Sequence, residues 1–336
     1  MPGLDDVVSA INALATQVND LALIPGPVGL PGIQGIAGPV GRTGPTGPQG
    51  PQGPDGVVSE IAVDEILTRL LVRHGVIGSA KTLFGVGTTR TGGWSALEAL
   101  TGPLPVRRSF DPGLPTWQYT KMRADVGLRA SVYSVKTAAS DMATGAKDVQ
   151  LQALVDAIPV GHQTWLVWRH EPEDDTDITP ESFRAGFDRF SEVILAKNRP
   201  EITPTLVLMG WTFDPRSGRN YRDWLPERRK GVVAAIDQYN TYPQGVWLSP
   251  ADLFDKPLGL LRDAGFTRVG IAETATKIEV PTDRRLAWIE EVGQWVKAQT
   301  DLEFCCWFDS DVGALGDWWL NDQLAQAWGA LAAGGV

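Results

Sequence analysis

Two acidic residues stand where an apolar run gives way to a polar loop: Glu171 in "WRHEPEDD" and Glu273 in "GIAETATK". Carried to opposite sides of one cleft, two carboxyl groups can cleave a glycosidic bond with retention. One protonates the departing oxygen and the other attacks the anomeric carbon, which requires a separation of about 5 Å. Either acid alone is ambiguous, because such a carboxylate often only caps a helix or joins a loop salt bridge. With Glu273 ionised nearby, Glu171 is expected to keep its proton near neutral pH. Flat rings near such a pair could stack on a pyranose face, and Trp211 and Trp307 occupy comparable positions.

The elements that must position these residues follow from the apolar pattern. Candidate strands are "TLFGVG" (82–87), "PVRRSF" (105–110), "LRASVYSV" (128–135), "QTWLVWRHE" (163–171), "TPTLVLMGW" (203–211), "GVVAAIDQYN" (231–240), "TRVGIAE" (267–273) and "LEFCCWF" (302–308). Helical periodicity separates most of them, notably over 180–197, 250–264, 282–299 and 320–332. Eight such units in about 250 residues predict an α/β fold, a TIM (β/α)8 barrel over 81–336, with a doubly wound sheet as the competing architecture. In such a barrel the strand ends form the active face, with Glu171 on the fourth strand and Glu273 on the seventh.

On these residues the barrel resembles the clan A glycoside hydrolases, and its His-Glu pair, His170 and Glu171, resembles glycoside hydrolase family twenty-six. The resemblance implies Glu171 as acid/base, Glu273 as nucleophile and His170 as a partner that orients substrate or nucleophile. It further implies that Arg108 hydrogen-bonds the nucleophile, that Asp237 and Tyr239 stand beside it, and that Trp307 is an aromatic floor under the reacting sugar. Arg169, next to His170, joins the substrate-binding set. Pro172 and Glu173 depart from the pattern of the family's mannanases.

The N-terminal part has a different grammar. Glycine recurs at every third position from Gly26 to Gly56, with proline at 27, 31, 39, 45, 48, 51 and 54. A collagen triple helix demands that period, because only glycine fits at its crowded axis; a flexible linker does not. Residues 25–57 are therefore expected to form a triple-helical stalk roughly 90 to 100 Å long at about 3.1 Å per residue, and the protein to be a homotrimer. Leu4, Val7, Ile11, Leu14, Val18 and Leu21 alternate spacings of three and four, the seam of a coiled-coil anchor over 1–24. Residues 58–80, with Val63, Ile66, Leu67 and Leu70, form either a helical neck or a cap on the barrel floor.

Net charge of −10 argues against nucleic acid and anionic membrane surfaces as partners, and the N-terminus lacks the basic and apolar regions of an export signal. Cys305 and Cys306 are adjacent in a strand, so they point to opposite faces and read as reduced core residues. Three scattered histidines make no metal cluster, the acidic run 171–177 reads as a solvated face, and "GVGTTRTGG" lacks the end of a phosphate loop. No cofactor or metal is expected.

A collagen-like stalk ahead of a carbohydrate-directed barrel resembles the minor tail proteins and tail fibres of bacteriophages. That resemblance implies a virion protein made in the host cytoplasm, joined to other tail proteins through its N-terminus. Its partner at the host surface would be a cell-wall polysaccharide. A working glycosidase, a glycan-binding adhesin without turnover and a purely structural tail component all remain open at this level.

Overall fold

The computed structural model describes residues 82–125, 130–241, 247–311 and 317–334. The anchor, stalk and neck expected over 1–80 lie outside the described residues. The barrel belongs to a compact unit, Ser79–Val336.

Eight parallel strands close in sequence order: β1 (Leu83–Thr88), β2 (Val106–Phe110), β3 (Ala130–Val135), β4 (Gln163–Trp168), β5 (Ile202–Met209), β6 (Val233–Asp237), β7 (Val269–Thr274) and β8 (Leu302–Asp309). Gly85 shows the closure, pairing with Val106 of β2 on one side and Cys306 of β8 on the other. The barrel expected from the sequence is thus present, and the doubly wound alternative is not.

Seven α-helices cover the described wall: α1 (Gly93–Thr101), α2 (Ala139–Ala143), α3 (Asp148–Ala157), α4 (Pro180–Ala196), α5 (Pro250–Asp263), α6 (Thr282–Lys297) and α7 (Asp322–Gly334). In the β2–β3 and β5–β6 crossovers the described residues form only short 3-10 turns, including Lys121–Asp125 and Gly210–Phe213. The short turn after β2 later becomes part of a cavity wall.

Helix α4 illustrates how a wall element fixes a strand end. Pro180 starts it, and a reciprocal Thr179–Ser182 capping box satisfies its first orphan N–H groups. Phe183, Phe187, Phe190 and Ile194 follow at helical spacing and bury one face. Phe183 stacks on Trp168, the last residue of β4, with centroids 5.6 Å apart. Residue 186 must be glycine, since a Cβ there would lie 2.2 Å from the Trp168 ring. The strand end that launches Glu171 is thereby clamped.

Inside the barrel, Val106, Val132, Val167, Val207, Ala235, Phe304 and Cys306 form a separate apolar cluster. Gly270 leaves room for the Phe304 ring, whose tip would lie 2.5 Å from an added Cβ. Cys305 faces the helices and Cys306 the barrel interior; both are buried and free, as strand alternation predicts.

Candidate active site

The barrel mouth is built on inward positions one step above that apolar cluster. Strand alternation puts Val106 and Arg108 of β2 on the same face, and Ala130, Val132 and Ser134 of β3 on theirs. Arg108 is almost wholly buried. Its Nη1 donates to Ser134 Oγ at 2.8 Å and to the Ser109 carbonyl at 3.2 Å, while Nη2 lies 3.4 Å from Glu273 Oε1.

Glu273 reaches the mouth by an irregularity in β7. Ile236 pairs with Ile271, but the next residue, Asp237, pairs with Glu273, so Ala272 is skipped. Ala272 already packs in the interior cluster, and regular alternation would turn residue 273 outward. The bulge instead aims its side chain at Arg108 and at Tyr239, whose hydroxyl donates to Glu273 Oε2 at 2.5 Å. Both carboxylate oxygens are thus engaged, one by β2 and the other by the exit of β6.

Glu171 arrives through a strained exit from β4. Arg169 and Glu171 have φ of 53° and 51°, in the left-handed region that non-glycine residues avoid. Bonds to both neighbouring strands hold the turn: Arg169 N to Val135 O at 3.0 Å and Glu171 N to Val207 O at 3.2 Å. Burial pushes the Glu171 carboxyl up to about 8, followed by the charges of Glu273, Glu173 and Asp174. Its retained proton matches expectation, but desolvation outweighs the partner carboxylate as the cause. His170 is pushed down to about 3 by burial and by the Arg108 and Lys136 charges, so it stays a neutral donor and acceptor.

Arg108, His170, Glu171, Asp237, Tyr239 and Glu273 therefore share one electrostatic environment. Asp237 is Glu273's neighbour in register, buried, with neither carboxyl oxygen hydrogen-bonded among the described residues. Burial, then Glu273 and Glu171, raise its pKa well above the usual carboxylate range. Tyr239 is likewise raised, by burial and then Glu273.

Two expected binding residues do other work. Trp307 is fully buried and turns outward, meeting Trp288 of α6 and Trp328 of α7 edge-on at 6.1 and 5.3 Å. It offers no face to a sugar. Its Nε1 donates to the Trp318 carbonyl at 3.0 Å, holding the loop that carries Trp318. Trp318 is half-buried, lies 4.6 Å from the Tyr239 ring and has Lys277 above it at 5.0 Å. Arg169 is buried and committed to Thr137 O, Asp175 and Asp177 at 2.7 to 3.0 Å, pinning the loop after Glu171. Part of the acidic run is thus loop architecture. Trp211 stands 44% exposed after β5, with Arg216 over its ring.

Glu173 was the departure from family pattern and proves to be a third carboxyl of this region. Its Oε1 accepts from Met209 N at 3.0 Å, Oε2 has no hydrogen-bond partner among the described residues, and burial pushes its pKa up to about 7. Trp318 was missed as well; its only sequence signal is the "DWW" that follows a glycine-containing loop.

No protein-family model matches the sequence, and no curated protein is similar to it. The fold does match solved structures. The GH26 β-mannanase BoMan26A from Bacteroides ovatus aligns at 12% identity over 82% of this chain and 93% of its own, with a TM-score of 0.52. The GH26 domain of PbGH26-GH5A from Prevotella bryantii aligns at 12% over 82% and 94%, with a TM-score of 0.48. Thermotoga maritima Cel5A in complex with cellobiose aligns at 14% over 76% and 97%, with a TM-score of 0.46. The described region is thus a parallel eight-stranded α/β barrel with the fold of TIM-barrel glycoside hydrolases.

Proposed function

We propose that the barrel is a retaining glycosidase directed at a host cell-envelope polysaccharide, carried at the end of a trimeric phage minor tail protein. The observation that carries the catalytic reading is the asymmetry of the two acids. Glu171 holds a proton, whereas Glu273 is met by the Arg108 guanidinium and the Tyr239 hydroxyl. Glu273 attacks the anomeric carbon as Glu171 gives its proton to the departing glycosidic oxygen, leaving a glycosyl ester. Glu171, now ionised, takes a proton from water, which attacks the same carbon and frees Glu273. Trp318 and His170 flank the reacting ring, and Arg108 fixes the nucleophile. The triplet glycines of 26–56 and the heptads of 4–21 support the trimeric stalk and its virion anchor.

Reducing-sugar release from host walls tests the reading, with glycan binding measured in parallel. Wild type should release sugar, and Glu273→Gln should lose roughly 10³-fold or more of the rate, about 4 kcal/mol, while still binding. Equal release by both removes Glu273 as the nucleophile. Tight binding without release by wild type favours an adhesin. A monomeric full-length chain in sedimentation would remove the stalk.

A further inference from the structure

A cavity of about 260 Å³ is lined by Phe110, Asp111, Lys121, Ser134, Lys136 and His170, among others. It shares two residues with the active site. His170 directly precedes Glu171, and Ser134 is the hydroxyl that receives Arg108. The volume lies just below the roughly 300 Å³ where pockets for drug-sized molecules begin, so it suits one small ring.

The charges on this wall are unequal in freedom. Asp111 is committed to the wall itself: its Oδ2 accepts from the Tyr133 hydroxyl at 2.6 Å and from the Lys121 backbone N at 3.0 Å. Lys136 lies 2.5 Å from Asp175, a carboxylate it shares with Arg169 at 2.7 Å, and Arg169 also pairs with Asp177 at 2.8 Å. The Lys121 ammonium forms no ion pair among the described residues and stands 5.4 Å from the centre of the Phe110 ring. The Arg108 guanidinium lies 5.6 Å from the same ring, and His170 packs against it at 5.7 Å. In a chain of net charge −10, this small cavity has an aromatic wall and, with Asp111 the acid on its lining, two lysines, of which Lys121 has no ion pair among the described residues.

We propose that the cavity is a subsite for a sugar unit bearing an anionic substituent, carboxylate or phosphate, whose ring lies against Phe110 and whose charge meets Lys121 and Lys136. The proposal rests on the glycan-directed reading of the barrel and narrows its substrate to an acidic polysaccharide. An aromatic face with a cation at its rim fits such a ring, apolar on one side and charged at one substituent.

Saturation-transfer NMR on the full chain, with glucose, glucuronate and glucose 6-phosphate as probes, tests it. At least one acidic sugar should bind about tenfold more tightly than glucose, since charge-assisted hydrogen bonds are about twice as strong as neutral ones. The carboxylate and phosphate arms then identify the substituent. Lys121→Gln should bring that sugar to within about twofold of glucose, and Lys121→Glu should reverse the order, because the side chain is exposed and its loss leaves the fold intact. Equal binding of all three probes, binding of none, or a preference that survives Lys121→Glu overturns the subsite. An acidic preference in a protein that releases no sugar keeps the subsite and removes the hydrolase. Hydrolysis without any acidic preference does the reverse.

Discussion

The interior of this barrel has two storeys built on the same strands. In the lower one Val106, Val132, Val167, Val207, Ala235, Phe304 and Cys306 fill the space with apolar atoms. One inward step higher, the strands place Arg108, Ser134, Asp237 and Glu273. Both storeys are buried, yet the upper one leaves Arg108 Nε and both Asp237 oxygens without hydrogen bonds among the described residues. Since the strands are shared, barrel closure does not require these charges. An unpaired buried polar group costs about 1 to 3 kcal/mol, so the mouth gives up stability that the floor supplies. That division of labour suits the catalytic role proposed for the mouth.

The largest effect should come from breaking the floor. Phe304→Ala removes a fully buried ring that packs 4.6 Å from Trp165, and should cost about 3 to 5 kcal/mol in denaturant unfolding. A cost below about 1 kcal/mol would mean that the lower storey is loose and that the contrast fails.

A second experiment sharpens the contrast through two tryptophans near the end of the barrel. Trp307→Ala should destabilise about as strongly as Phe304→Ala, because its ring lies between Trp288 and Trp328. Trp318→Ala should instead weaken glycan binding by about 1 kcal/mol, roughly fivefold, with a smaller loss of stability. The two effects are separable by measuring unfolding and binding on each variant. Trp307→Ala that retains full stability but loses glycan would restore Trp307 as the platform.

The same pair shows what the sequence can and cannot disclose. Eight apolar segments at regular spacing reveal the barrel, and their polar ends reveal Glu171 and Glu273. Which side of a strand faces the lumen is hidden, because barrel strands are buried on both faces and lose the alternation that would mark parity. Trp307 therefore looks like a mouth residue while pointing at α6 and α7. Glu273 escapes the same ambiguity only through the bulge at Ala272, and no residue type in "GIAETATK" signals that extra position. Arg169 reads as a substrate cation because its partners, Asp175 and Asp177, look in sequence like solvated charges. The helices omitted from two described crossovers are also unreadable, since short 3-10 turns carry no sustained period.

The smallest effect concerns the proton on Glu171, whose loss should lower both stability and catalysis as pH rises. The native carboxyl titrates at about 8 against an ordinary value of 4.5, so folding favours the protonated form. The stability this contributes is fully present below pH 4.5 and is lost as pH rises through 8. Glu171→Gln keeps the shape and cannot ionise, so it should match wild type near pH 4 and exceed it at pH 9. For a half-buried group partly screened by water the gain should be about 1 kcal/mol, or roughly 2 to 4 °C in melting temperature. Hydrolysis by wild type should fall along a basic limb near pH 8, where the leaving group loses its proton donor, and the variant should lack that limb. Parallel melting temperatures for the two proteins from pH 4 to 9 would show that Glu171 is not held protonated by the mouth. The upper storey would then have lost the property that separates it chemically from the floor.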